Sequence, residues 1–204
     1  LQQALTGYLQ LVRKNTYTPE QRLLLLRNVM ELAQTDAIKV QVLRDVVQAK
    51  SYQSILFAGS YLDSPALQQA AANAVMNITM AGKYNGEIVK SLLNKTITVI
   101  TGPDADYQKE GMRKYISEME AGTGFVQVFN GKDLAGWQGL VQDPIKRSKM
   151  APADLATAQE KADIASKESW KVINGELHFQ IKGDNLATIK KYGDMEMLID
   201  WKII

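Results

Sequence analysis

The chain has 204 residues, 46% of them apolar, which is enough for one large domain or two small ones, each with a buried core. Its 24 Lys and Arg against 22 Asp and Glu leave a net charge of +2, with no footprint for nucleic acid or an anionic membrane surface. The absence of Cys excludes disulfides, thiolate ligands and a Cys nucleophile, and fits cytosol and periplasm alike. A single His, His178, leaves acid and base chemistry mainly to carboxylates, Lys and Tyr.

No run of eighteen apolar residues occurs, so no membrane span is expected, and LQQALTGYLQ lacks the basic start and apolar centre of a signal peptide. The chain opens on Leu1 instead of Met and ends at Ile204 inside an alternating pattern, so the expectation is a piece of a longer precursor, one from which a signal peptide could have been removed.

Leu5, Tyr8, Leu9 and Val12 share one helical face, and Thr18-Pro19-Glu20 supplies an N-cap and a first-turn proline for a second helix over about 19–33. Leu23 to Leu26 is apolar all round, which suits a helix held between neighbours. Asp36 is expected to cap a third helix, buried through Ile38, Leu43, Val46 and Val47, and Ser51 to open a fourth reaching Leu62. Ser64-Pro65 then starts a helix whose Leu67, Ala70, Ala71, Ala74, Val75 and Ile78 recur at helical spacing. Two more helices are predicted over about 86–99 and 104–119, the first with an open end because residues 96–100 are β-branched.

These helix starts recur every 13 to 20 residues, so pairs repeat at about 30–40, the range of helical solenoids. The stretch YLDSPALQQAAANAVMNI resembles the second half of a HEAT-like repeat, a pattern an ordinary bundle would also give. Residues 1–120 are read as a HEAT-like α-helical repeat domain that offers a face to a protein partner and assembles no catalytic group. Asp63 and Asp104 read as turn and cap residues.

EAGTGF, residues 120–125, is the expected linker, and residues 121–204 the second domain. Phe125 to Phe129 predicts a strand and Asn130-Gly131 a turn with positive φ, after which Leu134, Gly136 and Trp137 return to apolar character. A helical insert is predicted over about 140–169, with Lys146, Arg147 and Lys149 as a solvated loop or a ligand site. Trp170–Ile173 and Leu177–Ile181 flank Asn174-Gly175 as a hairpin, and Lys182-Gly183-Asp184-Asn185 turns into a strand at Leu186–Ile189. Residues 195–204 alternate throughout: Met195, Met197, Ile199, Trp201 and Ile203 on one face, Glu196, Leu198, Asp200, Lys202 and Ile204 on the other.

Taken in order, FVQVFNGKDLAGW and WKVINGELHFQIKGDNLATIKKYGDMEMLIDWK resemble the N-terminal part of the 3-keto-disaccharide hydrolase domain family, whose members are concanavalin-like β-jelly rolls. The fold implied is a multidomain α + β chain, a HEAT-like helical domain followed by the first strands of a β-sandwich. A jelly roll takes about eight strands and four or five are legible, so the rest is expected beyond Ile204 and this piece alone is expected to be inactive.

The resemblance implies a saccharide already oxidised at C3 and a periplasmic or extracellular setting. A C3 ketone acidifies the C2 proton, so the chemistry needs a base at C2, an acid for the C1 leaving oxygen and positive charge at the enolate oxygen, a role a divalent cation can also fill. No cofactor is otherwise required. Glu196, Asp200 and Lys202 share one face of the final strand and are the catalytic candidates; the alternative is a solvated face with Lys202 paired to Asp200. His178, Lys182, Asn185 and Trp137 are the substrate-binding candidates, against readings as a strand His, turn chemistry and a core Trp. A noncatalytic sugar-binding module on the same sandwich is the competing function.

Overall fold

The computed structural model describes residues 2–180 and 182–203. The chain divides into two compact units, Leu1–Val126 and Gln127–Ile204.

The first unit holds α1 (Gln2–Lys14), α2 (Pro19–Leu32), α3 (Asp36–Val46), α4 (Tyr52–Gly59), α5 (Gln68–Gly82), α6 (Glu87–Val99) and α7 (Ala105–Ser117). Its helix starts follow local chemistry. The Thr18 hydroxyl accepts the Gln21 N–H at 3.3 Å while Gln21 Oε1 accepts the Thr18 N–H at 3.1 Å, a reciprocal capping box that fixes the start of α2. Ser51 Oγ accepts the Ser54 N–H at 3.3 Å and opens α4.

Two starts differ from expectation. Thr35 takes the cap position of α3 and Asp36 is its first residue, where a carboxylate still favours the helix dipole. Ser64-Pro65 forms a separate turn, the Ser64 carbonyl accepting from Leu67 N–H and Gln68 N–H at 2.9 and 2.7 Å, so α5 runs only from Gln68.

Packing proceeds from neighbour to neighbour: α1 on α2, α2 on α3, α3 and α4 on α5, α5 on α6, α6 on α7. Leu9, Leu26, Leu43, Ile55, Ile78, Leu93 and Met112 are fully buried between these layers. The helix α5 is central because Ala71, Ala72 and Ala74 let neighbours come close and are fully buried. Close approach is also required at Gly59, where a Cβ would lie 2.7 Å from Leu92 Cδ2.

The glycines at 122 and 124 do break the chain direction, with φ of +76° and +89°. The following residues are not free, however. A Cβ on Gly124 would fall 2.3 Å from the Asn85 carbonyl oxygen, and the Phe125 ring packs on Tyr52 with centroids 4.5 Å apart. This packing keeps Phe125 with the helices.

The second unit contains β1 (Trp137–Gly139), α8 (Pro144–Ser148), α9 (Pro152–Ser169), β2 (Trp170–Ile173), β3 (Glu176–Phe179) and β4 (Leu186–Thr188). The expected hairpin forms as β2–β3, antiparallel with Trp170 opposite Phe179 and Lys171 opposite His178. Asn174 and Gly175 both take positive φ, 53° and 83°, the turn geometry that matches strand twist. The other antiparallel pair is β1–β4, with Trp137 opposite Thr188.

The insert runs between these pairs as two helices. Against α9, Gly139 donates its N–H to Asp163 Oδ1 at 2.9 Å and accepts from Gln159 Nε2 at 2.9 Å.

Two expected strands are not formed. Residues 125–129 make no ladder, and Asn130 closes its own turn instead of a hairpin: its Oδ1 accepts from the N–H groups of Lys132 and Asp133 at 2.8 and 3.0 Å. Residues 195–203 are likewise outside any ladder. Alternation selects a face, but a strand exists only where a neighbour takes its backbone hydrogen bonds, and among the described residues none does so. The expected strand ends at Ile181 and Ile204 lie outside the described residues.

Candidate functional site

Hairpin register fixes where His178 goes. Trp170, Val172, Leu177 and Phe179 share one face, with the Trp170 and Phe179 rings 4.9 Å apart, so Lys171, Ile173, Glu176 and His178 share the other. On that polar face His178 Nε2 lies 3.1 Å from Glu176 Oε2, and its side chain is 28% exposed. Glu176 is a partner that sequence reading missed; the spacing of two along a strand was the available signal.

Lys182 and Asn185 sit on the turn after the hairpin, both exposed. Ser169, at the end of α9, anchors that turn. Its carbonyl accepts the Gln180 N–H at 2.7 Å, its Oγ accepts the Asp184 N–H at 3.2 Å, and a Cβ on Gly183 would collide with that Oγ. The Trp170 indole N–H donates to the Asp184 carbonyl at 2.9 Å, and the Asn185 carbonyl accepts the Leu140 N–H at 2.9 Å. Backbone groups of 184 and 185 therefore hold the turn, leaving the side chains of Lys182 and Asn185 on the surface.

Trp137 is half-buried on β1, and its indole N–H donates to the Val128 carbonyl at 3.2 Å. That bond ties the incoming segment to the sheet, an architectural duty that leaves only a ring face for stacking.

Glu196, Asp200 and Lys202 are exposed on the segment 195–203. No hydrogen bond or ion pair among the described residues joins Glu196 or Lys202 to His178, Lys182 or Asn185. His178 thus stands on the hairpin, Lys182 and Asn185 on the turn after it, and Glu196, Asp200 and Lys202 on the segment 195–203.

Two residues of the basic cluster, Lys146 and Arg147, have local partners. Asp143 caps α8 by accepting the Lys146 N–H at 2.9 Å, and Arg147 donates to the carbonyls of Val141 and Gln142 at 2.8 and 3.3 Å. Bonding to the Lys146 N–H holds the Asp143 carboxyl below its ordinary value. Asp133 is lowered as well, first by the Asn130 side chain and then by the Ala135 N–H. Among the described residues no three His, Asp or Glu side chains come together to hold a cation, and no helix is long and apolar enough to cross a membrane.

Residues 124–204 match the model of a family described as the 3-keto-alpha-glucoside-1,2-lyase-like domain. This segment is similar to the 3-keto-disaccharide hydrolase domain family. The match covers the motifs from the FNGKDLAGW opening to the DWK segment, which relates the segment to carbohydrate chemistry at the level of the family. No curated protein and no solved structure matches the chain.

Proposed function

We propose that residues 124–204 open a domain that cleaves glycosides already oxidised to a ketone at C3, removing the C2 proton and expelling the C1 substituent. The observation that carries this reading is the match to the lyase-like family over 124–204. In this reading the helical unit is a HEAT-like array, the second unit is the start of a concanavalin-like jelly roll, and the enzyme works in the periplasm or outside the cell.

The C3 carbonyl makes the C2–H bond acidic. A carboxylate takes the proton, and the bond's electron pair forms an enolate across C2 and C3. The enolate collapses to restore the ketone, a C1–C2 double bond forms, the C1–O bond breaks, and the departing oxygen receives a proton. Water adding across the double bond completes a net hydrolysis.

Same-face neighbours in a strand repeat every ~7 Å; were this segment paired into a strand, that spacing would let Asp200 act as base at C2 while the Lys202 ammonium faces the enolate oxygen. Glu196, which a strand would carry ~13 Å from Asp200 on the same face, is assigned to the leaving-group side. His178, Lys182, Asn185 and the Trp137 ring face are assigned to holding the saccharide. Lys202 is given the charge-stabilising role, one that a divalent cation could also fill.

The test is p-nitrophenyl 3-keto-α-glucoside incubated in D2O with the protein that carries this chain. Release of p-nitrophenol with deuterium at C2 of the sugar is expected, and Asp200→Asn is expected to slow release ~10²–10⁴-fold with an unchanged circular dichroism melt. Release with the original C2 hydrogen retained in the sugar defeats the mechanism. Saturable sugar binding without release instead identifies a noncatalytic binding module.

A further inference from the structure

A cleft of about 320 Å³ lies on the helical unit between α3 and α5. Along α5 it is lined by an amide row, Gln69, Asn73 and Asn77, beside small residues including Ala70 and Ala74; Arg44 stands on the opposite wall. None of the lining residues is aromatic or anionic.

The amides are already oriented. Asn73 Nδ2 donates to the Gln69 carbonyl at 3.0 Å and Asn77 Nδ2 to the Asn73 carbonyl at 2.7 Å. The donor end of each amide is tied to its own helix, and each Oδ1 is an acceptor with no partner among the described residues. Gln69 is locked differently, its Oε1 taking both the N–H and the hydroxyl of Thr101 at 2.9 Å. The cleft therefore presents two acceptors one helical turn apart.

A spacing of four residues on a helix rises ~6 Å. An extended peptide turns a backbone N–H to the same side every second residue, ~6.7 Å apart. The two repeats nearly coincide, so Asn73 and Asn77 can each accept from one edge of a peptide laid along α5. The alanines keep the floor shallow enough for a backbone, and without an aromatic ring the cleft lacks the stacking surface a sugar ring uses.

Arg44 adds the charge that selects a partner. It is exposed, and no hydrogen bond or ion pair engages its guanidinium among the described residues, since the adjacent Asp45 is taken by Arg13 at 2.8 Å.

We infer that the α3–α5 cleft seats an extended, acidic peptide segment of a partner protein, its carboxylate pairing with Arg44 and its backbone N–H groups donating to Asn73 and Asn77. This docking is independent of the lyase reading: loss of catalysis in residues 124–204 leaves it standing, and loss of peptide binding leaves the lyase reading standing.

A displayed library of random peptides of about nine residues, panned on the full chain, is the probe. Enrichment of acidic sequences is expected. Synthetic versions should lose about tenfold in affinity on Arg44→Glu and on the double variant Asn73→Ala with Asn77→Ala. Lysine-for-acid versions of the same peptides should regain binding on Arg44→Glu. Circular dichroism confirms that each variant is folded, and Arg44→Gln supplies a milder substitution if charge reversal perturbs α3. Failure to enrich, enrichment of neutral or basic sequences, or equal binding to wild type and both folded variants overturns the inference.

Discussion

In the helical unit Leu26, Leu43, Ile55 and Leu93 are sealed from solvent, whereas in the second unit Val141 is the one apolar side chain among the described residues that is comparably buried. Met195, Ile199, Trp201 and Ile203 there remain on the surface. The difference follows from how each kind of element satisfies its backbone. A helix closes its hydrogen bonds within itself, so its apolar face is free to pack on the next helix. Strands need partners first, and in the second unit polar bonds of Asp163 and Ser169 tie segments together while those of Asn130 close a turn.

All three Trp residues, 137, 170 and 201, lie in the second unit, so indole fluorescence reports that unit while far-ultraviolet circular dichroism reports mostly the helices. Leu43→Ala should cost ~2–5 kcal/mol through the cavity left in a fully buried site. In urea titrations that loss should appear in the circular dichroism transition. Ile199→Ala, at a position 67% exposed, should stay within ~0.5 kcal/mol in either signal. Equal losses at the two positions would erase the contrast between a packed and an unpacked unit.

Gly139→Ala tests the second unit's own joint. A Cβ there would meet the Ala162 carbonyl at 2.1 Å, and backbone cannot move aside as a side-chain tip can. A loss of ~1–3 kcal/mol is expected, seen as an earlier fluorescence transition. An unshifted fluorescence midpoint would mean that α9 does not hold β1 in solution.

Smaller still is Thr18→Ala, which removes half of the capping box of α2. Its cost should be ~1 kcal/mol in the circular dichroism transition. Thr18→Asp, which restores an acceptor, should recover most of it; no recovery would assign the loss to something other than the cap.

What could be read in advance divides along the same line. Thr18-Pro19, Ser51 and the alanine rhythm of α5 act within a few residues of themselves, and the helices they start stand close to where they were expected. Asn174-Gly175 is equally local, since its two positive φ values are set by the residues in the turn. Phe125–Phe129 and Met195–Ile203 carry good alternation, but alternation holds no information about which backbone would sit alongside. Asn130-Gly131 shows the same limit at a turn, because the Asn130 side chain bonds to the next N–H groups when no opposing strand arrives. Among the site candidates, opposition of His178 to Leu177 and Phe179 was legible from period two alone. The bond from Trp137 to Val128 and the anchoring of the 182–185 turn by Ser169 depend on chain folding back, and nothing at those positions announced them.

The most delicate consequence of local polar bonding is a pH response at the Asn130 turn. Asp133 Oδ1 accepts from Asn130 Nδ2 at 2.7 Å and from the Ala135 N–H at 2.9 Å, and these bonds hold the carboxyl below its ordinary 3.8. A carboxyl depressed by folding stabilises the turn at pH values above its unfolded value, and the stabilisation fades as pH falls through the folded one. Side-chain carbon shifts of Asp133 should therefore titrate below 3.8, and the amide protection of Lys132 should decline over that same acidic range. Asn130→Ala removes the leading cause while Ala135 still donates, so the midpoint should rise toward the ordinary value without fully reaching it. A wild-type midpoint at or above 3.8 would show the turn open in solution, and with it the idea that polar bonds substitute for a core in this unit would lose its clearest instance.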